Sequence, residues 1–101
     1  MSKGTEERKE TKMIIKFSDH KYAQAHMEPI HNGIALYSYT TCVAEVSNGW
    51  LRINGLYSMT TRKHIGWFMR ELGKFDYQLA KQLYEDNKEF NIYTGEVRDI
   101  D

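Results

Sequence analysis

The chain contains almost no cysteine or proline, with one residue of each type among its 101 residues. The lone cysteine, Cys42, excludes an intramolecular disulfide, as is usual in reducing compartments. No apolar run approaches the length of a transmembrane helix, and residues 1–12 lack the apolar stretch of a signal peptide. The sequence therefore predicts an intracellular protein with no membrane partner.

The chain also lacks net charge, because 14 Lys and Arg residues balance 14 Asp and Glu residues. The charges are nevertheless separated along the sequence. Residues 61–75 contain four basic residues and one acidic residue, whereas residues 76–101 contain three basic and seven acidic residues. Overall neutrality argues against a general nucleic-acid binder, which is usually basic, and against a polyanionic mimic of DNA.

What the chain does contain is enough apolar surface for one small domain, since 41% of its residues are hydrophobic and 13% are aromatic. Residues 1–12 are charged and nearly free of apolar side chains, so we predict a disordered arm there. We assign residues 13–94 to a single domain that begins with a short strand at Met13–Phe17. Residues 95–101 are polar and are predicted to fray.

The segment before the centre of the chain gives two predictions. Helical spacing of apolar residues predicts a short helix over His20–Met27, which Pro29 would end. Ile34–Val46 has the composition of a strand and is long for one, so a bend or bulge is expected near Thr40-Thr41.

The strongest local signal is Asn48-Gly49 between two alternating runs, which predicts a hairpin with a two-residue loop. In that register Val46 faces Leu51, and Glu45 faces Arg52 as a cross-strand ion pair. The predicted core face consists of Cys42, Ala44, Val46, Leu51 and Ile53.

Two helices are predicted after the hairpin. Thr60-Thr61 would cap the first helix, which ends at Gly73, and Asp76 would cap the second, which runs to about Lys88. The apolar stripe of the first helix is Ile65, Phe68, Met69 and Leu72. Ile92-Tyr93 would form a last short strand. The predicted fold class is α+β, with a small antiparallel sheet of about three to five strands and two C-terminal helices packed on one face.

The segment Thr60–His64 is the first candidate site. Helix N-termini bind anions, and two hydroxyls with Arg62, Lys63 and His64 suit a phosphate. Basic residues in a first turn oppose the helix dipole, which indicates a reason other than helix stability for their presence. The alternative interpretation is a Thr cap followed by solvated basic side chains.

Signals for catalysis and for a metal site are missing. The imidazole and thiol groups match no zinc-binding spacing; they belong to His20, His26, His31, His64 and Cys42. A Cys42–His64 dyad would need a proximity that the sequence does not indicate, and Cys42 is more simply a small buried hydrophobe. The chain has no Gly-rich phosphate loop and no nucleophile elbow. We predict no enzymatic activity, no cofactor and no metal.

Aromatic residues off the predicted core face form the second candidate site. Trp50 falls on the outer face of the hairpin, Trp67 falls off the apolar stripe, and Tyr37 and Tyr39 share a strand face. Such residues are enriched in protein interfaces and in platforms that stack single-stranded nucleic acid. The alternative is a second core layer on the other face of the sheet.

Two segments carry a family resemblance. Residues 38–44 fit the pattern S-Y-x-T-x-I/V-A, and residues 57–64 fit Y-S-x-T-T-x-K-H. Residues 34–73 thereby resemble a small domain of unknown function common in bacteriophages of Gram-positive hosts, with Cys42 where a proline is expected. The resemblance implies a phage origin and an accessory or early protein in the host cytoplasm, and it implies no activity. The residues that carry it in the second segment are Tyr57, Ser58, Thr60, Thr61, Lys63 and His64.

These observations predict a non-enzymatic phage accessory protein that binds a host or phage protein, with inhibition of a host protein or defence system as its effect. The alternative is a nucleic-acid-binding module that uses Arg62–His64 with Arg70, Lys74 and the basic arm. A homodimer through the sheet edge or the Trp50 face is compatible with either. The candidate binding residues are Tyr57, Thr60, Thr61, Arg62, Lys63, His64, Trp50 and Trp67.

Overall fold

Antiparallel strands and two helices make up the fold in a computed structural model that describes residues 24–100. Within these residues, six strands form one sheet whose order in space follows their order in the chain. The strands are β1 (Ala25–Ile30), β2 (Gly33–Ser38), β3 (Thr41–Ser47), β4 (Trp50–Ile53), β5 (Lys88–Asn91) and β6 (Val97–Asp99). The helices are α1 (Met59–Gly73) and α2 (Tyr77–Asp86). The predicted arm and the predicted strand at Met13–Phe17 lie outside the described residues.

The α+β class is confirmed, but the sheet is larger than predicted because two strands follow the helices. β5 pairs with β4, which extends the sheet beyond the hairpin, and β6 pairs with β5. Residues 95–101 are predicted to fray, whereas the structure places Val97–Asp99 in β6. The last predicted strand is also displaced, since Ile92-Tyr93 follows β5. Both strands are short and mostly polar, and they therefore lack the apolar alternation by which strands are found in sequences.

The helix predicted over His20–Met27 is wrong for its described part, because Ala25 begins strand β1. Residues 20–23 lie outside the described residues. Pro29 sits within β1, where it pairs with Ile34 of β2. A strand at the edge of a sheet tolerates proline, since the missing N–H is not needed by a second neighbour.

The long predicted strand Ile34–Val46 is divided into β2 and β3 by a tight turn at Tyr39-Thr40. A bulge lies within this pair: Leu36 pairs with Ala44, but Tyr37 pairs with Cys42, which leaves Val43 as the extra residue. The bulge shifts the alternation by one residue. Val43 is fully buried, and Cys42 moves from the predicted core face to the outer face of the sheet.

The hairpin at Asn48-Gly49 is confirmed in its predicted register, with positive φ at both loop residues. Glu45 and Arg52 face each other, but the predicted ion pair between them does not form. Arg52 Nε instead donates to Glu89 Oε2 at 3.1 Å. β4 has a second neighbour in β5, and Glu89 on that strand supplies the carboxylate.

Both helices pack on one face of the sheet and form the core with it. The predicted stripe of α1 is confirmed, since Ile65, Phe68 and Met69 are fully buried. The cap is wrong by two residues, because Ser58 and not Thr60 or Thr61 is the N-cap. At the other end Gly73 is the last helical residue, and Lys74 adopts the left-handed cap conformation with φ 65°. Among the described residues, no helix is long and apolar enough to cross a membrane.

The second helix agrees with its predicted start and ends slightly early. Asp76 Oδ1 accepts the Leu79 N–H at 3.2 Å, which is the predicted N-cap bond. The helix ends at Asp86, followed by Asn87 in a left-handed cap conformation with φ 57°. This cap turns the chain directly into β5 and so allows the sheet to extend beyond β4.

Candidate functional site

A chain of hydroxyl groups and one imidazole joins the start of α1 to the end of β2. Ser58 Oγ accepts the Thr61 N–H at 3.1 Å and donates to Thr61 Oγ1 at 3.2 Å. Thr61 Oγ1 lies 3.4 Å from Ser38 Oγ, which lies 2.8 Å from His64 Nδ1. Ser38 is the last residue of β2, so these bonds fix the β2–β3 turn against the helix N-terminus.

The His64 ring is shielded from solvent, with 2% of the residue exposed. The centroid of the Tyr39 ring lies 6.1 Å from the centroid of the His64 ring, and the centroid of the Trp67 ring lies 5.2 Å from it. Both rings are tilted relative to the imidazole. Burial lowers the pKa of His64, and the neighbouring Lys63 ammonium lowers it further. His64 is therefore neutral at neutral pH and serves as a hydrogen-bonding member of the core.

A serine and a histidine in contact can form a nucleophile and its base, but this pair is closed to substrate. Ser38 is 3% exposed and Thr61 is 5% exposed. A nucleophile needs an approach path for the atom it attacks. The arrangement supports a structural connection, and the prediction of no enzymatic activity stays a prediction.

Cys42 and His64 lie on opposite faces of the sheet, so the dyad considered from the sequence does not form. Cys42 pairs with Tyr37, whose ring stacks on His26 at 5.3 Å on the outer face. Burial and the carboxylates of Glu45 and Glu28 raise the pKa of the Cys42 thiol. A protonated thiol is a poor nucleophile and a poor metal ligand.

Large apolar side chains are exposed around this buried chain. Tyr39 is 55% exposed, Tyr57 is 65% exposed and Met59 is 81% exposed. Tyr39 follows Ser38, and the other two flank Ser58, so the hydroxyl chain holds all three at the same end of the molecule. We call the set Tyr39, Tyr57, Met59, Thr60 and Lys63 the cap surface.

Tyr39 has an unusual backbone, with φ 58°. The left-handed region costs a non-glycine residue about 1–2 kcal/mol, and bulky side chains occupy it rarely. The Tyr39 N–H donates to the Gln24 carbonyl at 2.8 Å, which helps to hold the conformation. The structure therefore presents an exposed aromatic ring on a strained backbone.

Four exposed basic residues lie along α1 and its cap, namely Arg62, Lys63, Arg70 and Lys74. None of them forms an ion pair with any other residue in the part of the chain that the structure describes. The described residues also contain no group of three His, Cys, Asp or Glu side chains that could hold a metal ion. Arg62 and Lys63 lie at the start of α1, and Arg70 and Lys74 lie at its end, so these positive charges are spread along the helix.

A family model for a family of unknown function, DUF8033, matches residues 9–86. The chain belongs to this family. The comparisons with curated proteins and with solved structures found no match. In this DUF8033 chain, the matched range includes α1, the β2–β3 turn and therefore the whole cap surface.

The DUF8033 fold brings together some of the predicted site residues and separates others. Tyr57, Thr60, Arg62 and Lys63 are exposed at the start of α1, as the sequence predicts. Thr61 and His64 belong to the buried hydroxyl chain, and Trp67 is half-buried against His64. Thr61 and His64 are therefore shielded from a partner, whereas the Trp67 side chain stays partly exposed.

Trp50 lies on the opposite face of the DUF8033 sheet, away from the cap surface. The Arg98 guanidinium lies over its ring at 3.8 Å. Glu89 accepts from Arg98 at 2.9 Å and from Arg52 at 3.1 Å, which links Trp50 to β5 and β6. The Trp50 ring thus carries an arginine of the same chain, and Trp50 is separated from the candidate residues at the start of α1.

Sequence reasoning missed four residues of the cap surface and its support: Ser38, Tyr39 as a turn residue, Ser58 as the N-cap, and Met59. Ser58 stands three residues before Thr61, which is the spacing of a cap to the N–H that it accepts. Tyr39 carried no such signal, because tyrosine is typical of strands and not of left-handed turns.

Proposed function

We propose that this chain is a non-enzymatic bacteriophage accessory or early protein that works in the host cytoplasm by binding, and thereby inhibiting, a host protein. The cap surface is the proposed contact region. The observation that carries the proposal is Tyr39, an exposed aromatic residue in a left-handed turn. The motifs at residues 38–44 and 57–64, which include this surface, support the phage origin.

The left-handed backbone of Tyr39 costs folding free energy. Asn, Asp or Gly at this turn position would avoid the backbone strain. The Tyr39 ring is mostly in water, so burial within the fold does not offset the strain. Strained residues of this kind concentrate where a side chain has a function.

The composition of the cap surface suits a protein partner. Tyr is enriched among the residues that dominate binding energy in protein interfaces, and Met is enriched in interfaces generally. The support of the turn matters as well, because the hydrogen bonds from Ser58 to His64 fix the turn before a partner arrives. Less conformational entropy is then lost on binding.

Site-specific photo-cross-linking in host cells tests the proposal. p-Benzoylphenylalanine would replace Tyr39 or Tyr57 in separate variants, and Tyr93, which is 81% exposed, in a matched control. We expect an adduct of the same mass from the first two positions and none from the control. Adducts of equal yield from all three positions, or from the control alone, would refute a specific cap surface.

Binding to nucleic acid is the second candidate, and it is favoured by the four basic residues of α1 and its C-cap, which form no ion pair within the described residues. If they contact phosphates, affinity for duplex or single-stranded oligonucleotides falls steeply with salt, and Arg62→Ala reduces the salt dependence. Fluorescence anisotropy between low and physiological salt measures both effects. Absence of binding at the lowest salt would eliminate this candidate.

A further inference from the structure

A shallow groove of about 540 Å³ lies between the start of α1 and the start of α2. Its walls are Met59, Thr60, Arg62, Lys63 and Tyr77. We propose that this groove binds an acidic segment of a partner protein and seats one apolar side chain of that segment against Met59 and Tyr77. The inference rests on the proposed function, and it names the chemistry of the partner.

The charge of the groove selects an acidic occupant. Arg62 and Lys63 are exposed and form no ion pair within the described residues, and no wall residue carries a carboxylate. The neighbouring Asp76 already accepts the Leu79 N–H as the cap of α2. Carboxylates on a partner would therefore meet two cations that form no ion pair within the described residues, which raises specificity and association rate.

The apolar part of the groove selects a side chain rather than a phosphate. Met59 is 81% exposed, and a flexible thioether adapts to apolar groups of different shapes. Tyr77 packs over Gly66 of α1, where a Cβ would lie 3.9 Å from the Tyr77 Cβ. A nucleic-acid backbone would use the two cations and leave Met59 without a contact.

Tyr77 gives a second and independent indication. Its hydroxyl oxygen is buried and has no hydrogen-bond partner among the described residues. A buried polar group without a partner is unfavourable, and an acceptor that enters beside it removes that cost. Backbone carbonyls or carboxylates of an acidic peptide are acceptors of the required kind.

NMR titration of the ¹⁵N-labelled full chain tests the inference with defined probes. The first probe is a short peptide of Glu with Leu and Phe, the second replaces Glu by Lys, the third replaces Leu and Phe by Ser, and the fourth is oligothymidylate. We expect the first peptide to shift the amide signals of Met59, Lys63 and Tyr77. We expect the first peptide to bind at least about fivefold more tightly than the third peptide, which lacks the apolar side chains. We expect the second peptide, which carries Lys in place of Glu, not to bind.

One matched pair of variants and one single variant sharpen the result. Lys63→Glu should weaken the first peptide about tenfold, whereas Lys74→Glu, at an exposed lysine that does not line the groove, should change little. Tyr77→Phe should weaken it about threefold with an unchanged fold, because it removes the donor alone.

The outcomes separate the inference from the proposed function. Shifts confined to Tyr39 and Tyr57 would overturn the groove and leave the cap surface intact. Equal binding of the first and third peptides would reduce the site to charge alone and overturn the apolar seat. Stronger shifts of the groove signals by oligothymidylate would assign the groove to phosphates, and no shift with any probe would also refute the inference.

Discussion

Single residues at the start of α1 and in the β2–β3 turn that packs on it combine structural and exposed roles, and Tyr39 in the turn is the clearest case. Tyr39→Asn keeps the left-handed turn and relieves its strain, so we expect the free energy of unfolding to rise by up to about 1 kcal/mol. Loss of the ring contact with His64 limits the gain. Chemical denaturation measures the change, with Tyr93→Asn as the control. A loss of more than about 1 kcal/mol would show that the Tyr39 ring is structural.

His64 makes stability depend on pH. Its pKa in the folded protein is below its ordinary value of 6.5, because burial and Lys63 disfavour the imidazolium. The unfolded chain therefore binds a proton at a higher pH than the folded chain does. The stabilisation is complete above pH 6.5 and is lost as pH falls towards the folded pKa, with a slope of at most about 1.4 kcal/mol per pH unit.

The His64 effect is measured as the difference between two denaturation series. We expect the wild-type protein to lose more stability than His64→Asn between pH 7 and pH 5, since asparagine does not titrate. Lys63→Gln should raise the His64 pKa in an NMR titration, because it removes the neighbouring charge. Parallel series for wild type and His64→Asn would contradict the assignment.

At the level of the elements, the start of α1 depends on Ser58 and not on the threonine pair. Ser58→Ala removes the hydroxyl that accepts the Thr61 N–H, and we expect a loss of about 1 kcal/mol in unfolding free energy. Thr60→Ala is the matched control, because Thr60 is exposed and its change should stay within about 0.5 kcal/mol. Thermal denaturation of both variants decides the matter. A larger loss of unfolding free energy in Thr60→Ala than in Ser58→Ala would instead show that Thr60 is the N-cap.

The sequence predicted those elements whose signals are local. Asn48-Gly49 fixes a two-residue turn by backbone preference, and the stripe from Ile65 to Leu72 fixes the buried face of α1, so both were predictable. β1 contains Pro29, which normally marks a boundary, and it is stable only because it pairs with β2. Such pairing is a tertiary effect, which local composition does not report.

The candidate site also contains some residues with a local signal in the sequence and others whose position depends on tertiary contacts. Exposed Arg62 and Lys63 follow from helical spacing alone. The buried pair of Ser38 and His64 joins residues 26 positions apart, and its 2.8 Å bond depends on a bulge and a turn elsewhere in the sheet. Sequence reasoning had no access to that distance, and it consequently treated His64 as an exposed ligand.

In the whole molecule, the central strands of the sheet are buried and the edge strand β6 is exposed. β3 and β4 contain fully buried residues, whereas every residue of β6 is exposed. Elements with few buried apolar contacts open locally at low free-energy cost. We therefore expect amide hydrogen exchange to be slowest in β3 and β4 and fastest among the strands in β6.

Arg98 joins β6 to the rest of the sheet, because it contacts both Trp50 and Glu89. Arg98→Ala should speed exchange of the β6 amides about tenfold, because about 1.4 kcal/mol of local stability is a factor of ten, and it should leave β3 unchanged. Arg62→Ala, which removes an arginine without a partner, is the control. If Arg98→Ala instead speeds amide exchange in β3 and β6 by the same factor, then β6 opens only when the whole domain unfolds. The contact of Arg98 with Trp50 would then stabilise the whole domain and not only the edge strand β6.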